Sequence, residues 1–409
     1  MADEEKIPQV YEEYLKLCRA VKYTDAMDDL FSGLRSGDPS GRSRAWDLLC
    51  GAWNPHRPAF AALLARASGE KKADVQALFG VDPAPLLAAV ADIKDTLHRA
   101  LRRKAARIGA DDFRFCDIWA RVPNAGNAGA VPLAAALAKL GDMLDKYLEG
   151  GKEFVEGISA AQRLHLEVQT VDCPHCFTPV PGGPVHVYMP VRFRDVRPCD
   201  LPSLAHELGH AMHCDLLDKL APGKAINVVF LETFSQLLEG IVWLELCGGA
   251  EFRDVRGDML LDRLTEETLD LMLFPALMEF EERVIASARR GPLPLEAVEE
   301  VYLEVFAKWF GVSPAGTWFW MRNKSLYDPR CNFYDFTYLL GRMVSLELLQ
   351  RIRTKGKMSR EEYRKAVEDT LSADFAGYRL KQGRSSPMRP ADWKELLEPV
   401  RAMFAALGG

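Results

Sequence analysis

The sequence lacks a long uninterrupted apolar segment, and this argues against a membrane-spanning helix. A helix that crosses a bilayer needs about 20 consecutive apolar residues, and no stretch of the chain approaches this. The richest candidate, residues 230–247, contains Glu232, Glu239 and Glu245, whose carboxylates are costly in a lipid core. The first residues, MADEEKIPQV, also lack the basic and apolar segments of a secretion signal. We therefore expect a cytoplasmic protein with no membrane partner.

An excess of positive charge is also absent. The formal net charge is −6, and basic residues are scattered among acidic ones, so no basic surface indicates nucleic acid as a partner. The nine cysteines are an odd number at irregular spacing, which favours reduced thiols over a disulfide framework. Hydrophobic residues make up 48% of the 409 residues and charged residues 27%, which is typical of a globular protein that buries its own core.

Apolar residues recur three and four positions apart through most of the chain, the pattern of amphipathic α-helices. The segments predicted to be helical are residues 5–35, 57–68, 83–107, 133–149, 200–219, 226–248, 251–290, 293–310, 334–353 and 391–406. The alternation typical of strands is confined to residues 114–122, 163–171 and 185–191. The predicted fold class is therefore mainly α with one small β-sheet.

Loop and breaker residues suggest how the chain is divided. The clearest loop signal is the segment 122–132, which is rich in Gly, Asn and Pro. We predict a helical amino-terminal lobe, residues 1–150, joined to a second domain, residues 151–409. Within the long helix predicted over residues 251–290, Pro275 lacks a backbone N–H and is expected to cause a kink.

The stretch LAHELGHAMH, residues 204–213, carries the strongest chemical signal. On a helix, His206 and His210 lie one turn apart, so both imidazoles project from one face and can share a metal ion. Glu207 projects beside them, where its carboxylate can take a proton from a water molecule activated by zinc. Short motifs of this kind also arise by chance, so a third ligand is needed to support a zinc site.

The segment VVFLETFSQLLEG, residues 228–240, offers candidates for that ligand. Glu232 and Glu239 lie seven residues apart and so on one helical face. One of them can bind the metal while the other orients a ligating histidine. The alternative is an amphipathic surface helix with a glutamate stripe, but the segment is very apolar around both carboxylates.

These residues resemble the thimet oligopeptidase and oligoendopeptidase F family of zinc metallopeptidases. The family signature HExGHxxH is matched by residues 206–213, and its Phe-x-Glu-x-x-Ser-Gln-x-x-Glu helix by residues 230–239. A third segment, NFYDFTYLLG at residues 332–341, is similar to the Asn-Phe-Tyr-x-Tyr-x-Tyr-Ala-x-Gly stretch of the oligoendopeptidase F branch. The three motifs occur in the family's order.

The resemblance implies a role for each matching residue. It assigns zinc binding to His206, His210 and Glu232, and general base and acid catalysis to Glu207. We expect Glu239 to support the ligands from behind. His213 is expected to do the same or to pack, because a fourth protein ligand would close the position that water needs.

Tyrosines form the other part of the implied site. Tyr334 and Tyr338 match family tyrosines on the substrate side of the metal, where a hydroxyl can donate a hydrogen bond to the oxyanion formed during peptide hydrolysis. Two tyrosines one turn apart can equally serve helix packing alone. Family members also carry a histidine just before this segment, whereas this chain has none after His213. Tyr327 is the candidate substitute for that histidine in substrate binding.

The resemblance further implies a two-lobed helical metallopeptidase, in which a small β-sheet lines a deep substrate channel. Strand 185–191, which contains Tyr188, is the predicted edge that pairs with a peptide. Such a channel admits short peptides and excludes folded proteins, so short peptides are the implied substrate.

Two other features are assigned ordinary roles. The pair Cys173 and Cys176 has the spacing of a dithiol motif, but no second pair and no βαβ pattern accompany it. We expect two reduced thiols there. Charged residues flank the tyrosine segment and are expected to be solvated rather than to bind a peptide carboxylate; they are Arg322, Lys324, Arg330 and Arg342.

The sequence therefore predicts a zinc metalloendopeptidase that acts on short peptides. A peptidase dedicated to the maturation of one peptide is a narrower version, which the short chain and the missing histidine suit. An inactive zinc-containing protein that binds peptides is the alternative from another class. The intact Glu207 argues against it, because a structural zinc ion needs no general base.

Overall fold

The computed structural model describes residues 8–21, 30, 33–35, 38–123, 129–167, 175–177, 183–224, 227–314, 316, 318–371, 374–383 and 388–407. Within these ranges the chain is mainly helical, which confirms the predicted fold class. The α-helices are α1 (Gln9–Ala20), α2 (Pro39–Trp53), α3 (Arg57–Glu70), α4 (Val75–Phe79), α5 (Pro83–Arg107), α6 (Leu133–Tyr147), α7 (Gly151–Ala160), α8 (Leu201–Leu220), α9 (Thr233–Gly248), α10 (Arg256–Thr268), α11 (Phe274–Arg290), α12 (Leu295–Phe310), α13 (Phe319–Arg322), α14 (Tyr334–Lys355), α15 (Arg360–Thr370), α16 (Phe375–Lys381) and α17 (Pro390–Ala406).

The strands of the described ranges form two small sheets. One pairs β1 (Val131–Pro132) antiparallel with β5 (Asp195–Val196). The other has the order β2 (Leu164–Glu167), β4 (His186–Pro190), β3 (His175–Phe177), with β2 parallel and β3 antiparallel to β4. Strands β2 and β4 lie within the segments predicted as strands, although residues 168–171 of the first segment fall outside the described ranges.

The strand predicted over residues 114–122 is wrong. Residues Phe115–Trp119 form a 3-10 helix. Asp117 stabilises this turn because its carboxylate accepts hydrogen bonds from the backbone N–H of Arg114 at 3.0 Å and from the guanidinium of Arg42 at 2.9 Å. Phe115, Cys116 and Ile118 are all buried. A short turn enclosed by protein on several sides therefore produces the same apolar pattern as a strand.

The helical type changes just before Pro275, while the kink expected at this residue stays a prediction. Helix α10 ends at Thr268, residues Leu269–Leu273 form a π-helical turn, and α11 begins at Phe274 with Pro275 in its first turn. In a first turn the missing N–H of proline leaves no helical hydrogen bond unmade.

Contacts group the chain into two compact units, each assembled from separate stretches. Unit 1 comprises residues 1–75, 97–121 and 268–336, and unit 2 comprises residues 76–96, 122–267 and 337–409. The boundary predicted at residue 150 lies inside unit 2, where α6 and α7 pack against each other. The assignment of an amino-terminal lobe and a catalytic domain stays a prediction.

Unit 1 is organised around α3, which packs against α1, α11 and α12. Just after α3, the buried ammonium of Lys71 donates hydrogen bonds to the Glu281 carboxylate at 2.6 Å and to the carbonyls of Ser325 and Cys331 at 2.8 and 2.6 Å. The side chains of Lys71 and Glu281 are 0% and 2% exposed. This ion pair therefore ties α11 to the loop that precedes α14.

Unit 2 contains both sheets and the paired helices α8 and α9. The three-stranded sheet packs on α8, and α15 packs on the same helix. Arg163, which precedes β2, donates two hydrogen bonds of 2.7 Å to the carboxylate of Asp215 on α8. This planar pair fixes the sheet on the helix that carries LAHELGHAMH. None of the helices in the described residues is long and apolar enough to cross a membrane.

Replacing Lys71 by alanine is expected to lower the free energy of unfolding by about 3–5 kcal/mol, because the Glu281 carboxylate would stay buried without its cation. Urea denaturation followed by circular dichroism measures the change. The control is Lys72→Ala at the exposed neighbouring position, which should change stability by no more than about 0.5 kcal/mol. Equal stability of the two variants would show that the buried pair does not contribute in this way.

Candidate metal centre

Helix α8 presents its chemical residues on a rigid, buried support. Its apolar stripe of Leu204, Leu208, Ala211 and Leu217 is almost fully buried, and Pro202 lies in the first turn. Asp200 immediately precedes the helix, but its side chain makes no cap hydrogen bond. It instead accepts hydrogen bonds of 3.1 Å from Arg192 and Arg197.

His206 and His210 converge as their spacing predicts. Their ring centroids are 4.9 Å apart and the ring planes are inclined by 80°. Both Nε2 atoms lie close to one carboxylate oxygen, Oε2 of Glu232, at 3.2 Å from His206 and 3.4 Å from His210. Two side chains of α8 and one from the residue that precedes α9 therefore meet at one point.

Glu232 reaches this point from the residue that immediately precedes α9. Its side chain is 2% exposed. The hydroxyl of Ser235 donates a hydrogen bond of 2.8 Å to the Glu232 carbonyl and lies 3.3 Å from Oε2. The first turn of α9 therefore holds both the backbone and the carboxylate of Glu232.

Two glycines permit the close packing that brings Glu232 to the histidines. A Cβ atom on Gly209 of α8 would lie 2.5 Å from the Cα of Ser235 and 2.7 Å from the carbonyl oxygen of Phe234. A Cβ atom on Gly341 of α14 would lie 3.0 Å from the Cβ of Glu232. Larger residues at these positions would force the helices apart, because the opposing atoms are mostly backbone.

The donor set fits a zinc ion. The ligand atoms of His206, His210 and Glu232 all lie within 4.8 Å of one another. Tetrahedral zinc with ligands at about 2.0–2.1 Å places neighbouring ligand atoms about 3.3 Å apart, close to the separations of Glu232 from the two histidines. Two imidazoles and one carboxylate are also a common set of protein ligands for catalytic zinc.

Glu239 fixes the orientation of His206. Its Oε2 lies 3.2 Å from Nδ1 of His206. A carboxylate only accepts hydrogen bonds, so Nδ1 carries the proton and Nε2 is left to face Glu232. This is the arrangement that orients metal-binding histidines in many proteins.

The electrostatics of the centre favour a cation between these side chains. Burial acts to raise the pKa of Glu232, but the charges and hydrogen bonds of His210 and His206 outweigh it and lower the pKa below its usual range. Burial acts to lower the pKa of His206, but Glu232 and Glu239 raise it well above its usual value. The carboxylates are therefore anions that require a positive partner, either a proton on the imidazole or a metal ion.

Glu207 follows His206 on α8 and is 8% exposed. Its charge contributes to the raised pKa of His206, after the larger effects of Glu232 and Glu239. Its role as a general base stays a prediction.

His213 packs against its surroundings, which is one of the two roles expected for it. It is 1% exposed and its ring packs on Phe234, with centroids 4.6 Å apart. Neither ring nitrogen has a hydrogen-bond partner among the described residues. Burial, with a smaller effect from His210, lowers the pKa of His213 to about 3. The ring is thus a neutral packing group, and hydrogen-bonded support of a ligand by His213 does not occur in this structure.

The predicted tyrosines differ in their surroundings. Tyr334 and Tyr338 are partly exposed, one turn apart at the start of α14, and the carbonyl of Tyr338 accepts a hydrogen bond of 3.1 Å from Gln236 of α9. Tyr188 is partly exposed on β4 and stacks on His165 at 4.8 Å. The prediction that this strand is an edge for a peptide is wrong, because β4 pairs with β2 on one side and with β3 on the other. The roles of these tyrosines in substrate binding and catalysis stay predictions.

The prediction that Tyr327 contacts substrate is wrong. Its side chain is fully buried in unit 1 and stacks on Tyr14 at 4.4 Å. An aromatic side chain enclosed in this way is part of the core, so Tyr327 does not replace the missing family histidine by contacting substrate. The predicted dithiol of Cys173 and Cys176 lies outside the residues whose side chains are described.

Sequence reasoning missed the charges behind Glu239. Its Oε1 accepts hydrogen bonds of 3.0 Å from Arg263 of α10 and from Arg342 of α14. The expectation that Arg342 is solvated is wrong, because its side chain is 1% exposed. Arg342 directly follows the NFYDFTYLLG segment. A charged residue in a sequence does not by itself reveal that its partner is buried.

Comparisons with solved structures identify the fold. A structure assigned to oligoendopeptidase F has a TM-score of 0.74 at 17% identity, covering 97% of this chain and 75% of that chain. PZ peptidase A with an inhibitor has a TM-score of 0.72 at 15% identity, with the same coverage of 97% and 75%. Oligoendopeptidase F from Enterococcus faecium has a TM-score of 0.53 at 16% identity, covering 92% and 66%.

Comparisons of sequence find no match among protein-family profiles or curated proteins. The structural likeness nevertheless extends over nearly the whole chain. The fold is therefore that of oligoendopeptidase F and related peptidases, which confirms the fold that the three motifs imply.

Replacing Gly209 by alanine is expected to lower the free energy of unfolding by about 1–3 kcal/mol and to weaken zinc binding, because α8 and α9 must separate. Urea denaturation and zinc titration measure the two effects. Gly157→Ala is the matched control: it lies inside α7, where a Cβ atom meets nothing within 4 Å, and should gain about 0.5–1 kcal/mol. Two variants that behave alike would contradict the close-packing argument.

Proposed function

We propose that this chain, which has the fold of oligoendopeptidase F, is a zinc-dependent oligopeptidase that hydrolyses internal bonds of short peptides. The observation that carries the proposal is the convergence of His206, His210 and Glu232, whose ligand atoms lie within 4.8 Å of one another. The motif resemblance and the structural likeness to peptidases support the same reaction. Maturation of one peptide is the narrower activity, and cleavage of a mixed peptide library distinguishes the two.

In this proposal the three side chains hold zinc through Nε2 of both histidines and a carboxylate oxygen of Glu232. When bound, zinc polarises the peptide carbonyl and lowers the pKa of a coordinated water toward about 7. Ser235 and Glu239 keep Glu232 and His206 in their ligating orientations through the hydrogen bonds described above. The protein supplies three ligands, which leaves a position for water and substrate.

Glu207 is the proposed general base and acid. It takes the proton of the attacking water and later delivers it to the amine of the departing peptide. Its place in the sequence, directly after His206 on the same helix, keeps it beside the metal ligands. Because the Glu207 side chain is largely buried, it exchanges protons with bulk water only to a limited extent.

Tyr334 and Tyr338 are the proposed hydrogen-bond donors to the oxyanion. A phenol stays protonated near neutral pH and can donate without a net charge. Tyr338 is attached to the scaffold of the metal centre through the Gln236 hydrogen bond to its carbonyl.

The purified protein is expected to cleave a mixed library of short quenched peptides. A chelator should abolish cleavage and added zinc should restore it, because in the proposed reaction the metal ion is the Lewis acid that polarises the peptide carbonyl. Cleavage of one or a few sequences only would indicate a maturation peptidase. Zinc binding at about one ion per chain without cleavage of any peptide would favour the non-catalytic peptide-binding protein instead.

Glu207→Gln is expected to lower kcat by a factor of about 10²–10⁴, because the amide cannot accept the proton. Zinc content should be unchanged, since Glu207 is not a ligand. Metal analysis and single-substrate kinetics measure the two quantities. The control is Glu282→Gln on the exposed face of α11, which should leave kcat unchanged. Full activity of Glu207→Gln would overturn the assigned role.

A further inference from the structure

We propose that Arg342 and Arg263 are positioning residues for the metal centre: they hold Glu239 so that it orients His206, and thereby set the affinity for zinc. This inference rests on the proposed metal site. It adds two residues that no motif contains and that lie on helices other than the one carrying the histidines.

The two arginines meet one oxygen of Glu239. Nη1 of Arg263 and Nη2 of Arg342 each lie 3.0 Å from Oε1, while Oε2 faces Nδ1 of His206 at 3.2 Å. The two oxygens therefore have separate tasks, one toward the guanidinium groups and one toward the imidazole. Rotation of the carboxylate would break both sets of contacts at once.

Glu267 completes the network on the far side. It forms an ion pair with Arg263 on the same helix, and its Oε2 lies 3.5 Å from Nε of Arg342. The side chains of Glu267, Arg342 and Arg263 are 0%, 1% and 4% exposed, and that of Glu239 is 14% exposed. Two arginines thus balance two glutamates in a space that excludes most water.

Burial makes these contacts specific rather than incidental. An exposed pair of opposite charges exchanges its partners with water and contributes little, whereas a buried carboxylate that loses its cation must move or take up a proton. The planar guanidinium of Arg342 bridges Glu239 and Glu267 with different nitrogens, which the single ammonium of lysine cannot reproduce. The direction of the Glu239 carboxylate therefore depends on the arginine fork.

The consequence for the metal follows from the direction of His206. Residues that orient a metal-binding histidine typically change metal affinity by about 10-fold to 100-fold when removed. Arg342 acts one step further away, through Glu239. We expect Arg342→Met to weaken zinc binding by about 10-fold or more, with Arg342→Lys intermediate because it restores charge but not the fork.

The test is zinc affinity of the folded apoprotein, measured by competition with a chromogenic chelator. All variants carry His165→Ala, because Nε2 of His165 and Nδ1 of His186 lie 2.7 Å apart and could bind a second ion. Urea denaturation establishes that each variant is folded under the assay conditions. This readout does not depend on peptidase activity.

Arg379→Met is the matched control. Arg379 is also buried and also pairs with a glutamate of α14, Glu347, so the same substitution removes a comparable ion pair that does not include Glu239. It should lose stability but keep the affinity for zinc of the His165→Ala parent. If Arg342→Met does not fold, the zinc affinity of Arg342→Lys is compared with that of Arg379→Met instead. The inference predicts weaker zinc binding in Arg342→Lys.

Two results would contradict different statements. Zinc binding as tight in Arg342→Met as in the parent, or weakened equally in Arg379→Met, would overturn the positioning role while leaving the proposed function intact. Absence of zinc binding at His206 in the parent would overturn the proposed function and this inference with it. Weaker binding confined to the Arg342 variants supports the inference.

Discussion

The close approach of α8 to α9 at Gly209 is the packing constraint on which the candidate centre depends. Packed helices with ordinary side chains lie about 8–10 Å apart, whereas the backbone of Ser235 lies directly over Gly209. This approach lets Glu232, at the entrance to α9, reach both imidazoles. Gly341 permits α14 to approach the same glutamate. Two residues without functional groups therefore determine where the ligands meet.

Buried ion pairs are a second feature that the two units share. Each unit buries ion pairs, with Lys71 and Glu281 in unit 1 and the arginine and glutamate network around Glu239 in unit 2. Such pairs contribute little net stability, because desolvation offsets most of the attraction. They do impose direction, since a buried carboxylate with a fixed cation has few alternative orientations. In unit 2 that direction is transmitted to His206.

Local spacing made part of the structure predictable. In any α-helix, residues four apart such as His206 and His210 lie one turn apart. The seven-residue interval between Glu232 and Glu239 likewise places both on one face. It does not say which of the two binds the metal, and the family resemblance assigned that role to Glu232. Helix α15 was missed although Ser359 and Glu362 form a capping box, a signal that the sequence does contain. The burial of Arg342 and Tyr327 could not be read, because their partners come from distant segments: Glu239 and Glu267 for Arg342, and Tyr14 for Tyr327.

The three candidate ligands lie on α8 and directly before α9, within 27 residues of one another, while each unit as a whole is assembled from distant stretches of chain. Contacts between positions close in sequence form early in folding, because closing a short loop costs little entropy. The helix pair α8 and α9 can therefore assemble before the surrounding segments arrive. A zinc ion captured at that stage would act as a local cross-link, so that metal supply would influence how fast the chain folds as well as what the folded protein does.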